Sequence, residues 1–200
     1  MTANIIPLAA LAAAITIDAA AAQQVAGPGS AAPAVVLPGT NHVVAPAALA
    51  GPGRERSLTD LQYAIGDWLA FEFGLPRIPE QASIAFASAS RMAGLRFRDV
   101  PSDQWSNEKS GILAVYDDDA RMIYLPEGWT GGTAAELSVL VHEMAHHLQN
   151  VGGLKFACSE EREKMAYDAQ ERWLKLFGGS LEADFELDPF TVLVRTNCPY

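Results

Sequence analysis

The sequence predicts an α+β domain, and three observations carry that reading. Residues 134–150 and 159–177 each repeat their apolar positions at helical spacing. Just before them, residues 112–116 and 122–125 are β-rich runs that flank a polar turn, the pattern of a hairpin. A chain of 200 residues is long enough to bury one sizeable core, and no internal repeat divides it. The net charge is −10 with no basic run, which argues against nucleic acid and anionic membrane surfaces as partners.

From the N-terminus, residues 5–17 (IIPLAALAAAITI) form an apolar run too short to span a bilayer and interrupted by Pro7. With Ala20, Ala21 and Ala22 behind it, residues 1–22 read as a signal-like segment, which implies a secreted or periplasmic protein. Residues 1–17 contain no Lys or Arg and Asp18 ends the run, so the alternative is an alanine-rich tail on a cytoplasmic protein. Over residues 23–56, Pro28, Pro33, Pro38, Pro46 and Pro52 recur without periodicity. Proline at that frequency blocks helix and sheet ladders, so this reads as a linker or pro-segment. The folded domain is expected over residues 57–200.

Ser57 reads as a helix cap with Asp60 in the first turn. Leu58, Leu61, Ile65, Trp68 and Leu69 then recur at helical spacing until Gly74, Leu75 and Pro76 stop the run. Residues 83–86 suit a short strand and 88–95 a short helix. Asp117, Asp118, Asp119 and Ala120 join the hairpin strands; three adjacent aspartates lack the alternating spacing of a calcium loop, so a solvated turn is expected. Thr133 and Glu136 form a capping-box pattern, which starts the next helix at Ala134 and lets it run to Asn150 before Gly152 and Gly153. Ser159 is the expected cap of the following helix, with Glu160 and Glu161 at its positive end. Residues 181–200 are acidic and then β-like at 191–195.

The chemistry lies in His142, Glu143, Met144, Ala145 and His146. Residues four apart on a helix differ by about 40° in azimuth and about 6 Å along the axis, so two imidazoles can converge on one tetrahedral zinc. Glu143, about 100° round, sits where a carboxylate can take a proton from water. Val139, His146 and Gln149 share the side of His142, while Leu137, Leu140, Val141, Met144 and Leu148 form the apolar stripe opposite. His147 points about 120° from the ligand face and is a poor ligand. The competing reading is a helix with solvated surface histidines.

A catalytic zinc site needs a third protein ligand. On the following helix Ala166, Ala169, Trp173, Leu176 and Phe177 form the apolar stripe, with Lys164, Asp168, Glu171, Arg172 and Lys175 towards solvent. Among the acids, Glu163 alone borders the stripe, next to Tyr167 and Gln170. Glu161 points outward and Glu160 lies between. A carboxylate at a core boundary needs a partner, either a basic side chain or a metal.

These residues resemble the gluzincin metallopeptidases, in which His-Glu-x-x-His is followed by a glutamate on a nearby helix. The stretch 162–167 (REKMAY) is similar to their Glu-x-x-Ala-Asp segment, whose first glutamate is the third ligand. The resemblance covers roughly residues 112–177. It implies a zincin-like fold, with the active-site helix packed on a second metal-bearing helix beside a small hairpin or sheet. It also implies a zinc peptidase with zinc on His142, His146 and Glu163, Glu143 as general base, and a peptide or protein substrate along an edge strand at 121–125. The family's orienting aspartate, four residues after the ligand glutamate, is Tyr167 here, which can bond a ligand, stabilise an oxyanion or simply pack. Two rivals remain: a zinc-binding interaction or degenerate non-catalytic domain, and a structural domain with an accidental motif. In an exported protein Cys158 and Cys198 are expected to form a disulfide; Cys158 as a zinc ligand is the alternative.

Overall fold

The computed structural model describes residues 34–46, 54–77, 79–98 and 112–199, with residues 54–57 in backbone only. The expected signal-like segment and much of the expected linker lie outside the described residues. No helix among the described residues is long and apolar enough to cross a membrane.

Part of the expected linker is ordered into a hairpin. Strands β1 (Val35–Val36) and β2 (Val43–Val44) pair antiparallel. Pro38 and Gly39 turn the chain, with Gly39 at φ +69° and the Thr40 N–H donating to the Leu37 carbonyl at 3.2 Å. Proline followed by a positive-φ glycine is the signature of a type II turn. A Cβ on Gly39 would run into the Phe71 ring, and the positive φ strains any other residue even if that ring moves. Leu37 and Val44 are buried in the main core, which gives this hairpin a structural role that proline content alone concealed.

Helix α1 spans Arg54–Phe73 and begins before Ser57, which therefore lies inside the helix and does not cap it. Arg54, Glu55 and Arg56 are good helix formers, and nothing in them stops the helix from starting at Arg54. Its buried face carries Leu61, Ile65, Trp68 and Leu69, the expected apolar positions. Strand β3 (Ser83–Ala87) leads into α2 (Ala89–Arg96), whose cap Ser88 accepts the Arg91 N–H at 3.4 Å. Strands β4 (Val115–Asp117) and β5 (Met122–Pro126) form the expected antiparallel hairpin.

The sheet order is β3-β5-β4, with β3 parallel to β5. Strand β5 is therefore paired on both sides, and residues 121–125 do not supply the open edge expected for substrate. That edge is β4. A hairpin is legible locally, but the parallel β3 partner arrives through a crossover that local pattern does not reveal.

Helices α3 (Ala134–Val151) and α4 (Ser159–Leu176) follow and pack on each other. With α1 and β5 they enclose the main core, where Trp68 meets Trp173 edge-on at 5.5 Å between ring centroids. The tail forms two helices, α5 (Leu181–Phe185) and α6 (Pro189–Thr196), the second of them over residues 191–195 where β structure was expected. The Asp188 carboxylate accepts the N–H groups of Phe190 and Thr191, and Pro189 stands at the first helical position. That start signal outweighs the β propensity of Thr191, Val192 and Val194. Cys158 and Cys198 form a disulfide that ties the end of α6 to the start of α4. Closing a loop across 40 residues contributes about 4 kcal/mol in the chain-entropy account. Cys158 is thereby removed as a metal ligand.

Candidate metal centre

Two helix starts set the phase of the site. Thr133 Oγ1 accepts the Glu136 N–H at 3.1 Å, as the capping pattern requires. The Glu136 carboxylate does not return to Thr133; it accepts the Thr130 and Gly132 N–H groups at 3.2 and 2.9 Å and the Thr130 hydroxyl at 2.8 Å. The box is half formed, and its acid braces the preceding loop. In α4 the cap is Cys158, whose sulfur accepts the Glu161 N–H at 3.3 Å, while Ser159 donates to Glu160.

From these starts, α3 projects His142 and His146, and α4 projects Glu163, into one place. His142 Nε2 and His146 Nε2 are 3.2 Å apart, and Glu163 Oε2 lies 3.1 Å from the first and 3.4 Å from the second. Ligand atoms 2.0–2.1 Å from a tetrahedral zinc stand roughly 3.3–3.4 Å apart, so this triangle already has the right size. The three residues could hold a metal ion.

The other ring nitrogens are engaged. His142 Nδ1 lies 3.1 Å from Gln170 Oε1, and His146 Nδ1 lies 3.0 Å from Gln149 Oε1. Gln170 uses its NH₂ on Ser138 Oγ, and Gln149 uses its NH₂ on the Arg162 carbonyl. Both amides therefore present oxygen to the histidines. Each Nδ1 therefore carries a proton, so that a neutral ring would offer its Nε2 lone pair to a metal.

Glu143 is buried beside the triangle. Burial raises its carboxyl; His142 opposes this and the Glu163 charge adds to it, leaving the net shift upward despite a main-chain hydrogen bond from Tyr116. Glu163 goes the other way. Burial alone would raise it, but His146 and His142 hold it well below the usual carboxylate range. A cavity of about 110 Å³ opens onto His142, Glu143, His146 and Glu163, walled by Arg96 and by residues 112–116 leading through edge strand β4.

Residues 54–200 match the family described as a domain of unknown function, DUF6647. The chain belongs to that family. No curated protein and no solved structure matches it.

In this DUF6647 domain, Tyr167 does not hydrogen-bond a ligand. Its ring meets His142 edge-on at 4.9 Å between centroids, and its hydroxyl accepts from Arg195 at 3.5 Å. Burial, with the nearby Glu163 charge, pushes the phenol up to about 12. The orienting acceptor is Gln170 instead. His147 points away from the centre but is fully buried and not solvated. Its Nε2 donates to the Glu80 carbonyl at 3.0 Å and its Nδ1 accepts from the Tyr116 hydroxyl at 3.1 Å. His147→Ala should keep its metal and lose about 2–3 kcal/mol of stability, because a fully buried ring leaves a cavity and two hydrogen bonds are lost. Metal content and urea unfolding of the same sample check both halves.

The acidic turn also departs from expectation, being ion-paired and not merely solvated. Asp117 Oδ1 accepts the Asp119 and Ala120 N–H groups, and its other oxygen meets Arg98 at 3.1 Å. Asp118 grips Arg162 through both oxygens at 2.7 Å. Sequence reasoning assigned no role to Gln149, Gln170 or Arg162. Gln149 was visible on the ligand face of its helix, and Gln170 was visible beside Glu163.

Proposed function

We propose that this DUF6647 chain is a zinc-dependent peptidase with a zincin-like pairing of its two site helices. The observation that carries the reading is the triangle of His142 Nε2, His146 Nε2 and Glu163 Oε2, with Glu143 buried against the same cavity. Among the described residues the group has three ligands, the number used by catalytic zinc sites, whereas structural sites use four. Two imidazoles and a carboxylate suit zinc, which when bound polarises a carbonyl and acidifies water. Glu143 would accept the water proton at its carboxylate and return it to the leaving amine, and its burial suits it to the role of base. Among the described residues strand β4 has one unpaired edge at the cavity wall, where an extended peptide can hydrogen-bond main chain to main chain.

We read residues 1–22 as directing export to a secreted or periplasmic location, with which the Cys158–Cys198 disulfide is consistent. Metal analysis of protein purified without added metal, followed by cleavage of a broad peptide library, tests the function. One zinc per chain and peptide cleavage are expected. A chain without stoichiometric metal would sink the proposal, and a zinc-loaded chain that cleaves nothing would leave a zinc-binding interaction module.

A further inference from the structure

Arg162 directly precedes the proposed ligand Glu163, and its side chain makes four hydrogen bonds. Its Nη1 and Nη2 each donate to one Asp118 oxygen at 2.7 Å. Nη2 also donates to the main-chain carbonyl of the ligand His146 at 3.1 Å. Its Nε donates to Gln149 Oε1 at 3.3 Å, the same oxygen that accepts from His146 Nδ1. Its own carbonyl accepts the Gln149 NH₂ at 3.1 Å. Burial alone would lower the guanidinium, but the Asp118 hydrogen bonds and charge, with Glu163 and Glu143, hold it firmly protonated.

These contacts decide which way the Gln149 amide faces. Turned over, its NH₂ would meet the Arg162 N–H and its oxygen would meet the Arg162 carbonyl, two repulsive contacts in place of two hydrogen bonds. A reversed amide would also offer His146 Nδ1 a donor. The ring proton would then sit on Nε2, the atom that faces Glu163 and His142. From this geometry we infer that Arg162 is a positioning residue that fixes the tautomer of His146, with Asp118 as its anchor. The inference rests on the zinc reading of the same centre, and it assigns a purpose to the acidic turn 44 residues away in sequence. The planar fork is essential: a lysine keeps the charge but cannot hold Asp118, Gln149 and the His146 carbonyl together.

The test uses the full chain in two states. In metal-free, ¹⁵N-labelled protein, long-range proton–nitrogen spectra should show His146 with Nδ1 protonated throughout and no form with Nδ1 bare. Arg162→Lys should introduce the second tautomer and lower zinc affinity, read by chelator competition, about 10-fold. Asp118→Asn should move both readouts the same way but less. An Arg162→Lys chain that keeps one tautomer and zinc affinity within twofold of wild type would overturn the inference. Arg162→Ala is the harsher variant; if it fails to fold, Arg162→Lys and Asp118→Asn carry the test. A wild-type chain that binds no zinc would bring down the zinc reading instead, and the tautomer comparison would still decide the role of Arg162.

Discussion

Glu163→Ala is expected to remove most of the zinc affinity, while Glu161→Ala leaves it unchanged. The first substitution deletes an oxygen that lies 3.1 and 3.4 Å from the two imidazole nitrogens, leaving only two ligands. Changes to groups behind a ligand already cost about 10–100-fold in metal affinity, so losing the ligand itself should exceed about 100-fold. Glu161 sits on the same helix, two residues earlier, and is exposed. Its carboxylate accepts the Ala157 N–H at the helix start, so its loss should cost about 1 kcal/mol of stability and no metal. The pair shares charge and helix and differs in azimuth. Chelator competition on both variants, with circular dichroism to confirm the fold, gives the contrast. Equal zinc affinity in the two would remove Glu163 from the ligand set.

Glu143→Gln should abolish turnover while zinc content stays at the wild-type level. Glutamine keeps the shape of the side chain and an oxygen that can accept the Tyr116 hydrogen bond, but it cannot take a proton at working pH. General-base catalysis contributes about 10²–10⁴-fold, and the loss should appear in kcat with KM little changed. Activity equal to wild type would exclude Glu143 as the base. Loss of zinc in this variant would instead mean that Glu143 is a ligand.

What was legible in the sequence follows from the range over which each signal acts. The spacing of His142 and His146 is a property of a single helix turn, and Glu163 emerged because helix phase places it at the boundary of an apolar stripe. The β4–β5 hairpin is equally local. The central position of β5 was hidden, because β3 reaches it through a parallel crossover from residues 83–87. The bond between Asp118 and Arg162 was hidden for the same reason. Gln149 and Gln170 fall on the correct faces, but an amide acquires a role only once a histidine nitrogen is beside it. In helix α6 the cap at Asp188, three residues before Thr191, overrides the β propensity of residues 191–195.

All three ligands and both amides that orient them stand on the α3–α4 pair, with Glu163 21 residues and Gln170 28 residues from His142. In folding terms this is a centre of low contact order within a fold that also needs a parallel strand pairing and a disulfide across 40 residues. Two neighbouring helices can meet on the microsecond scale, whereas long-range sheet pairing takes far longer and disulfide formation takes seconds or more. On the proposed reading, metal present as the chain folds would bind a helical hairpin before the rest of the domain had closed, and its binding energy would add to that hairpin's stability. In refolding from the reduced, unfolded chain, a chelator added at the start should slow recovery of structure, and one added after the disulfide has formed should only strip the metal. Equal recovery in both cases would show that the centre assembles last, as an ornament on a finished fold and not as its seed.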